Sequence, residues 1–274
     1  MITSARNERV KFIRGLSEPQ VRRRTACTVV EGIRLVEEAL KSGAGFVLAA
    51  YDERMRRSER GGALLDALGG AGVELLEVSA DVLKSVAMTE SPQGIVAAIK
   101  VPFADAVAEV RRLPGAPGGA GEEPITVLLD GVQDPGNVGT IIRSADAFGA
   151  ALVVLVNDCA DPYNPKALRA SMGSVFHLSC PVEEHAGPAL DALAETGFSL
   201  YYGDASSAVA VYSARLTGRA ALAVGSEAAG VSGEVRSRGT PVSVPIYGRA
   251  ESLNAAMAMT AMLYEARRQR AVAL

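Results

Sequence analysis

The second half of the chain alternates short runs of Val, Ile and Leu with helical stretches, and this alternation limits the possible folds more than any other feature. Runs that are apolar at nearly every position are typical of strands in a parallel sheet that helices cover on both faces. The six runs are residues 125–129, 151–156, 175–178, 198–202, 220–224 and 242–246, and a last helix is predicted from about 252 to 269. The pattern therefore predicts an α/β domain with a mainly parallel sheet over 125–274.

The first half is predicted to form a smaller α/β domain. Apolar residues recur at helical spacing over 29–40, and 46–50, 73–78 and 94–100 resemble short strands. A basic helix is predicted at the N-terminus. Residues 114–124 are mostly Pro, Gly and Ala, which indicates a flexible connection. We therefore expect a first domain over 1–101, a linker over 102–124 and a second domain over 125–274.

The net charge of −3 disfavours a nucleic-acid partner when it is taken alone, but the charge is unevenly distributed. The first 24 residues hold seven Lys and Arg residues against two Glu residues, whereas the second domain is mildly acidic. A basic face on an acidic body is compatible with phosphate contact, although a solvated helix surface explains the same run.

Composition excludes several classes of protein. With 49% hydrophobic and 22% charged residues, the chain can form a core and is not generally disordered. It has no apolar run of about 18 residues and no apolar signal segment, so we expect a cytoplasmic protein without a membrane partner. Cys27, Cys159 and Cys180 are too far apart to suggest a zinc site or a disulfide framework. His177 and His185 lack metal-helix spacing, so no metal is expected.

Three loops that follow predicted strands are unusual, and ligands of open α/β sheets bind at the carboxyl ends of strands. The first is an Asp134-Pro-Gly-Asn137 turn before a helix, whose free N–H groups can face an anion. It lacks the Gly-x-Gly-x-x-Gly pattern of nicotinamide-dependent dehydrogenases, which disfavours that class. Arg143 follows on the same helix. In the last of these loops, Ser252 is a plausible cap for the final helix.

In this order, the three loops resemble the three motifs of the SpoU family of RNA ribose 2'-O-methyltransferases, within the SPOUT superfamily. The matching residues are Asp134-Pro-Gly-Asn-Val-Gly139 with Arg143-Ser-Ala-Asp146, then Asn164-Pro-Lys with Arg169-Ala-Ser-Met-Gly173, then Gly225-Ser-Glu227 with Gly230 and Ser252-Leu-Asn254. The first domain is similar to the L30e-like substrate-binding module of many members, through residues 31–40 and 89–94. One departure is Ser226, where many members have Asn.

The resemblance implies a deep trefoil knot in the second domain, S-adenosylmethionine as cofactor, and a homodimer that completes the site. It implies that the cofactor is held by Gly225, Gly230, Val244, Ile246 and Leu253, and that the catalytic residues are Asn137, Arg143, Glu227, Ser252 and Asn254. Independently of the resemblance, the residue pattern places Leu253, Met257 and Tyr264 on one face of the last helix, which we interpret as a core or dimer face.

The implied reaction is transfer of a methyl group to a ribose 2'-oxygen of structured RNA. The family assigns the general-base role to the position of Arg143, but a guanidinium has no lone pair to accept a proton. We interpret Arg143 instead as a cation that holds a phosphate and stabilises the developing alkoxide. The expected target is 23S ribosomal RNA. A transfer-RNA methyltransferase and a non-catalytic RNA-binding protein of the same fold are the alternatives.

Overall fold

The computed structural model describes residues 1–102, 104–113 and 123–272, and their contacts fall into two compact units. The first unit is Met1–Pro102 together with Tyr163–Phe176, and the second contains the other described residues. The second sequence motif around Arg169 therefore belongs to the first unit. The range predicted as a linker includes a helix at Ala106–Arg112, and most of the Pro- and Gly-rich stretch lies outside the described residues. The predicted domain boundaries remain a prediction.

The first unit contains a four-stranded mixed sheet in the order β1-β4-β2-β3. Its strands are β1 (Cys27–Glu31), β2 (Phe46–Tyr51), β3 (Glu74–Glu77) and β4 (Ile95–Lys100). Its helices are α1 (Glu8–Gly15), α2 (Pro19–Thr25), α3 (Ile33–Lys41), α4 (Glu53–Arg57), α5 (Glu59–Gly70), α6 (Ala80–Val86) and α9 (Pro165–Ser171). The three strands predicted over 46–100 are confirmed, and the basic N-terminal segment forms two helices, α1 and α2.

The helix predicted over 29–40 is wrong at its start. Val29 and Val30 lie in β1 and pair with Ala98 and Ala97 of β4. The helix begins at Ile33, after Gly32 reverses the chain with φ of 92°. Two consecutive β-branched valines fit a buried strand better than a helix, so tertiary pairing decides this boundary.

The second unit contains a six-stranded sheet in the order β10-β8-β9-β5-β6-β7, in which every neighbouring pair is parallel. Its strands are β5 (Ile125–Asp130), β6 (Leu152–Val156), β7 (Val182–Glu183), β8 (Ser199–Gly203), β9 (Ala220–Gly225) and β10 (Thr240–Val242). Its helices are α7 (Ala106–Arg112), α8 (Pro135–Ala147), α10 (Gly187–Glu195), α11 (Gly233–Arg238) and α12 (Ala255–Val272). The predicted α/β class with a mainly parallel sheet is confirmed.

Two of the predicted strands are incorrect. Ser174–Phe176 forms a short 3-10 turn, so there is no strand over 175–178. Strand β10 ends at Val242, where the predicted strand begins. Ser243 forms an isolated parallel bridge with Ala210, and residues 244–246 are irregular. Val175 is buried, and Val244 and Ile246 line a cavity, yet none of the three lies in a strand. A pattern of hydrophobicity cannot distinguish such positions from those of a strand.

The core of the second unit lies around its central strands. All residues of β5, β6 and β9 are buried, because helices cover both faces of the sheet. Helix α12 turns Ala256, Met259 and Leu263 inward. Of the two roles predicted for its other apolar stripe, the core role is wrong, since Met257 and Tyr264 are 52% and 59% exposed.

Each unit contains buried cysteine. Cys27 and Cys180 are buried, Cys159 is partly buried, and all three are free thiols. Burial raises the pKa of Cys159 to about 11 and that of Cys180 to about 12. In the described part of the chain, no helix is long and apolar enough to cross a membrane, and no three His, Cys, Asp or Glu side chains are grouped as a metal would require.

Candidate functional site

The site of the second unit begins where two neighbouring parallel strands end. Asp130, the last residue of β5, pairs in register with Gly225, the last residue of β9. The loops after these strands therefore leave the same edge of the sheet side by side, in the position where parallel α/β sheets bind ligands.

Helix α8 starts in the loop after β5, and its first turn fixes Asn137. The carboxylate of Asp134 caps the helix by accepting a hydrogen bond of 2.9 Å from the Asn137 backbone N–H, and Pro135 takes the first helical position. The side-chain Nδ2 of Asn137 donates to Oε1 of Glu227, in the loop after β9. A residue of α8 is thereby linked to a residue 90 positions later.

Asn254 joins the same group from the start of α12. Its Nδ2 donates to Oδ1 of Asn137 at 3.1 Å. Its Oδ1 accepts from the backbone N–H of Ala256 at 2.9 Å, so Asn254 caps α12. The assignment of Ser252 as the cap is therefore wrong.

The helices that carry this group are also tied together further along. The hydroxyls of Ser144 on α8 and Thr260 on α12 lie 2.7 Å apart and share a hydrogen bond. This second hydrogen bond between α8 and α12 restrains the relative position of the two helices, and with it the positions of Asn137 and Asn254.

A cavity of about 360 Å³ opens beside this chain. Its volume falls in the range of small-molecule sites. The predicted residues that line it are Gly225, Glu227, Gly230, Val244, Ile246, Ser252, Leu253 and Asn254. The structure thus brings together all five residues predicted for the cofactor and three of those predicted for catalysis, and Asn137 joins them through its hydrogen bonds to Glu227 and Asn254.

Arg143 stands apart from the residues that line the cavity. It lies six residues after Asn137 on α8, which places it about 9 Å further along the helix axis and about 120° around it. Its side chain is exposed and makes no hydrogen bond or ion pair with any residue in the described ranges. It is available to an external anion.

Gly225 allows two loop segments to approach closely at the cavity wall. A Cβ atom at this position would lie 2.0 Å from the carbonyl carbon of Gly230 and 2.3 Å from the backbone nitrogen of Val231. Gly230 itself has φ of 67° and donates its N–H to the carbonyl of Ser226 at 2.9 Å. Only glycine fits at 225, because any side chain would push the loop away.

Asp130 is a residue of the site that the sequence reasoning missed. The residue is 3% exposed, and its carboxylate accepts from Asn157 Nδ2 at 2.8 Å and from the Ser232 backbone N–H at 2.6 Å. It therefore joins the loops that follow three adjacent strands, β6, β5 and β9. An acidic residue that ends a run of five apolar or β-branched residues was the available signal.

Asp204 was also missed. It follows β8, lines the cavity and accepts hydrogen bonds from the backbone N–H and the hydroxyl of Ser206 at 2.9 and 2.7 Å. These bonds, aided by the charge of Arg236, hold the pKa of Asp204 below its usual value. Asp204 is therefore an anion at neutral pH.

The cavity thus combines two kinds of surface. Val224, Val244, Ile246 and Leu253 give it an apolar wall, and Asp204 and Glu227 contribute carboxyl groups. An apolar wall suits a flat heterocycle, and carboxylates favour a cationic ligand. The donor set contains no cluster suited to a metal in the described ranges.

Comparison with known proteins identifies both halves of the chain. Residues 124–264 match the model of the SpoU rRNA Methylase family, and residues 7–97 match the MRM3-like substrate binding domain. The chain is 35% identical to the 23S rRNA (guanosine(2553)-2'-O)-methyltransferase RlmP of Bacillus subtilis, over 97% of this chain and 98% of that protein.

Two solved structures are similar over nearly the whole chain. The SpoU methyltransferase AviRb from Streptomyces viridochromogenes, in complex with the cofactor AdoMet, is 33% identical with a TM-score of 0.84, covering 97% of this chain and all (100%) of that chain. An AdoMet-bound rRNA methyltransferase from Sinorhizobium meliloti is 30% identical with a TM-score of 0.84, covering 98% of this chain and 97% of that chain.

Proposed function

The chain belongs to the SpoU rRNA Methylase family, and from this premise we propose that it transfers a methyl group from S-adenosylmethionine to a ribose 2'-hydroxyl of 23S ribosomal RNA. The observation that carries the proposal is the hydrogen-bonded chain Glu227–Asn137–Asn254 beside the 360 Å³ cavity. The cavity can hold a small cofactor, and the side chains of Asn137 and Asn254 next to it can bind an RNA hydroxyl.

The residues present fit S-adenosylmethionine. The adenine ring would lie against Val244, Ile246 and Leu253. The anionic Asp204 complements the positive charge of the cofactor. When bound, the cofactor supplies a methyl group activated by its sulfonium.

The protein's contribution to the reaction is alignment and charge. Asn137 and Asn254 hold each other through a 3.1 Å hydrogen bond, and Glu227 orients the amide of Asn137. Amides fixed in this way can position the 2'-hydroxyl for in-line attack, and such positioning accounts for much of the rate enhancement of group-transfer enzymes. Arg143 holds the adjacent RNA phosphate and stabilises the developing negative charge, while the proton leaves to phosphate or water.

We further propose that the protein forms a homodimer and acts in the cytoplasm. The second unit is proposed to contain a trefoil knot. The exposed apolar side chains Leu253, Met257 and Tyr264 support a covered face, since they are 40%, 52% and 59% exposed in the single chain. Exposed large apolar side chains close together are typical of interfaces. Leu253 also lines the cavity, so a partner at this face would lie next to the cofactor.

Methyl transfer is tested with tritiated S-adenosylmethionine and 23S ribosomal RNA from cells that lack the protein. Wild-type protein is expected to label the RNA at a ribose, which alkaline hydrolysis detects as a resistant dinucleotide. Arg143→Ala should lower the single-turnover rate by about 100-fold or more and leave the calorimetric affinity for the cofactor within about twofold.

The matched control is Arg111→Ala, since Arg111 is an exposed arginine on α7 that pairs with Glu195. It should retain the wild-type rate. Absence of ribose labelling by the wild-type protein would refute the activity. A wild-type rate and an unshifted pH–rate profile in Arg143→Lys and Arg143→Ala would remove Arg143 from the mechanism.

A further inference from the structure

The first unit contains a second and larger cavity, of about 630 Å³, which the proposed methyl transfer does not use. Four parts of the unit line it: the start of α3, the loop before β4, Arg60 of α5, and the end of α9 with Arg169 and Met172. We call it the arginine cavity. Arg169 and Met172 belong to the second sequence motif, for which the site in the second unit provides no role.

Two arginines of this cavity, Arg34 and Arg169, are engaged less than Arg60. The pKa of Glu37 is held below its usual value mainly by its hydrogen bond with Arg60, and the charge of Arg34 adds to this effect. Arg34 is exposed and Arg169 is half-buried, and neither makes a hydrogen bond or ion pair through its side chain with a residue in the described ranges. Arg60 differs, because its guanidinium binds both carboxylate oxygens of Glu37, at 2.8 and 2.5 Å. A half-buried guanidinium without a partner loses part of its hydration, so an anion that replaces the lost water is bound favourably.

Two acidic residues, Glu31 and Glu90, also line the cavity. Glu31 is engaged, because it accepts from the Met88 backbone N–H at 2.6 Å and from the Thr89 hydroxyl. Glu90 also lines the cavity and is exposed. Its charge opposes a run of phosphates, whereas its oxygens can accept from an amino group of a base.

Met172 gives the arginine cavity an apolar surface. It caps α9 with φ of 52°, a left-handed conformation that helix ends usually assign to glycine, and its side chain is 50% exposed. A flexible thioether makes favourable contacts with aromatic rings. A large apolar side chain at a position that favours glycine lines the same cavity as Arg34 and Arg169, and this combination suits a nucleotide.

We propose that the arginine cavity holds one unpaired nucleotide of the RNA, with its phosphate on Arg34 and Arg169 and its base against Met172. The inference rests on the proposed function, since it takes RNA as the partner. The nucleotide is unpaired because a base within a duplex offers its faces to neighbouring bases, and proteins read single-stranded RNA by stacking on exposed base faces. The cavity volume lies within the range that encloses a ligand of this size.

The test uses a fluorescein-labelled, mixed-sequence single-stranded RNA of 12 nucleotides and a blunt duplex of the same sequence. Anisotropy titrations over a series of KCl concentrations compare the wild-type protein with the double variant Arg34→Gln/Arg169→Gln. The double variant should bind the single strand about 10- to 100-fold more weakly. The slope of log K against log salt should decrease by about 0.7 for each RNA phosphate that the variant no longer neutralises.

Two further variants sharpen the test. Arg111→Gln/Arg112→Gln removes the same charge from exposed ion pairs on α7 and should bind the single strand like the wild-type protein. Met172→Gly removes the apolar surface at a backbone conformation that glycine prefers, so it should keep the wild-type melting temperature and bind the single strand about 5- to 20-fold more weakly.

Wild-type affinity of the arginine variant for the single strand, or an equal loss for the duplex, would overturn the assignment. Methyl transfer from the cofactor by the wild-type protein provides an independent readout. If the wild-type protein methylates RNA while the cavity variants bind the single strand normally, the cavity assignment fails alone. If the cavity variants lose single-strand binding and the wild-type protein transfers no methyl group, the proposed function fails and the cavity assignment stands.

Discussion

Replacement of Gly225 by alanine is the most direct test of how the cavity of the second unit is built. The added Cβ would lie 2.0 Å from the carbonyl carbon of Gly230, 2.1 Å from its oxygen and 2.3 Å from the Val231 nitrogen. All three are backbone atoms, so no rotation of a side chain can relieve the overlap. The loop must move by about 1 Å or more to restore ordinary contact distances.

The cost of this movement follows from the bonds that hold the loop. The Gly230 N–H donates to the Ser226 carbonyl at 2.9 Å, and the Ser232 N–H donates to the buried carboxylate of Asp130 at 2.6 Å. A bond to a buried charge contributes about 1.5–3 kcal/mol and a neutral one about 1 kcal/mol. We therefore expect Gly225→Ala to lower the free energy of unfolding by about 2–4 kcal/mol and to weaken cofactor binding by at least about 100-fold.

Gly203→Ala is the matched control, because Gly203 lines the same cavity. A Cβ atom there would lie 3.5 Å from Val224 Cγ1 and 3.6 Å from Met262 Sδ, which are ordinary contact distances. Calorimetry with S-adenosylmethionine and thermal unfolding should show near wild-type behaviour for this variant. Equal cofactor affinity in Gly225→Ala and the wild-type protein, or equal losses in both variants, would refute the reasoning.

Two further predictions concern buried groups. The carboxylate of Asp130 accepts hydrogen bonds from Asn157 and Ser232, and in Asp130→Asn the amide NH2 must face one of these donors. The free energy of unfolding should therefore fall by about 2–3 kcal/mol in thermal unfolding. An unchanged melting temperature would contradict this role of Asp130. Burial raises the pKa of Cys180 from 9.0 to about 12, so the folded state binds this proton more tightly than the unfolded state. The stability that the protonated thiol contributes is complete below pH 9 and is lost between about pH 9 and 12. Cys180 should therefore react with Ellman's reagent at pH 8 only after denaturation. Rapid reaction of the native protein at this residue would refute its burial.

The regular elements of both units were largely predictable, for reasons that particular segments illustrate. Strands β5, β6 and β9 are buried on both faces, and continuous apolar runs are the direct consequence of that burial. The segment 175–178 is also mostly apolar, but Val175 and Phe176 lie in a 3-10 turn and no residue of the segment belongs to a strand. Apolar composition reports burial, whereas a strand also requires a neighbour with free hydrogen-bonding groups, which lies elsewhere in the chain.

The site shows the same division. Short motifs around Asn137 and Asn254 indicated which residues to consider, but the contacts between them link positions 117 residues apart. Asp130 escaped notice because its role depends on two partners, Asn157 and the Ser232 backbone, that become neighbours only when strands β6, β5 and β9 lie side by side. Arg169 was grouped with the second domain by sequence, whereas the fold places its segment in the first unit.

The sequence by itself determined the α/β class, the parallel sheet and the family, because these depend on local apolar patterns and on short motifs whose order along the chain is visible. Only the tertiary structure decided which loops meet at the edge of the sheet, how Gly225 admits a second backbone segment, and with which residues the arginines form ion pairs. The physical reason is that burial is encoded in the composition of each segment, whereas hydrogen bonds and ion pairs between distant residues exist only after the segments have packed.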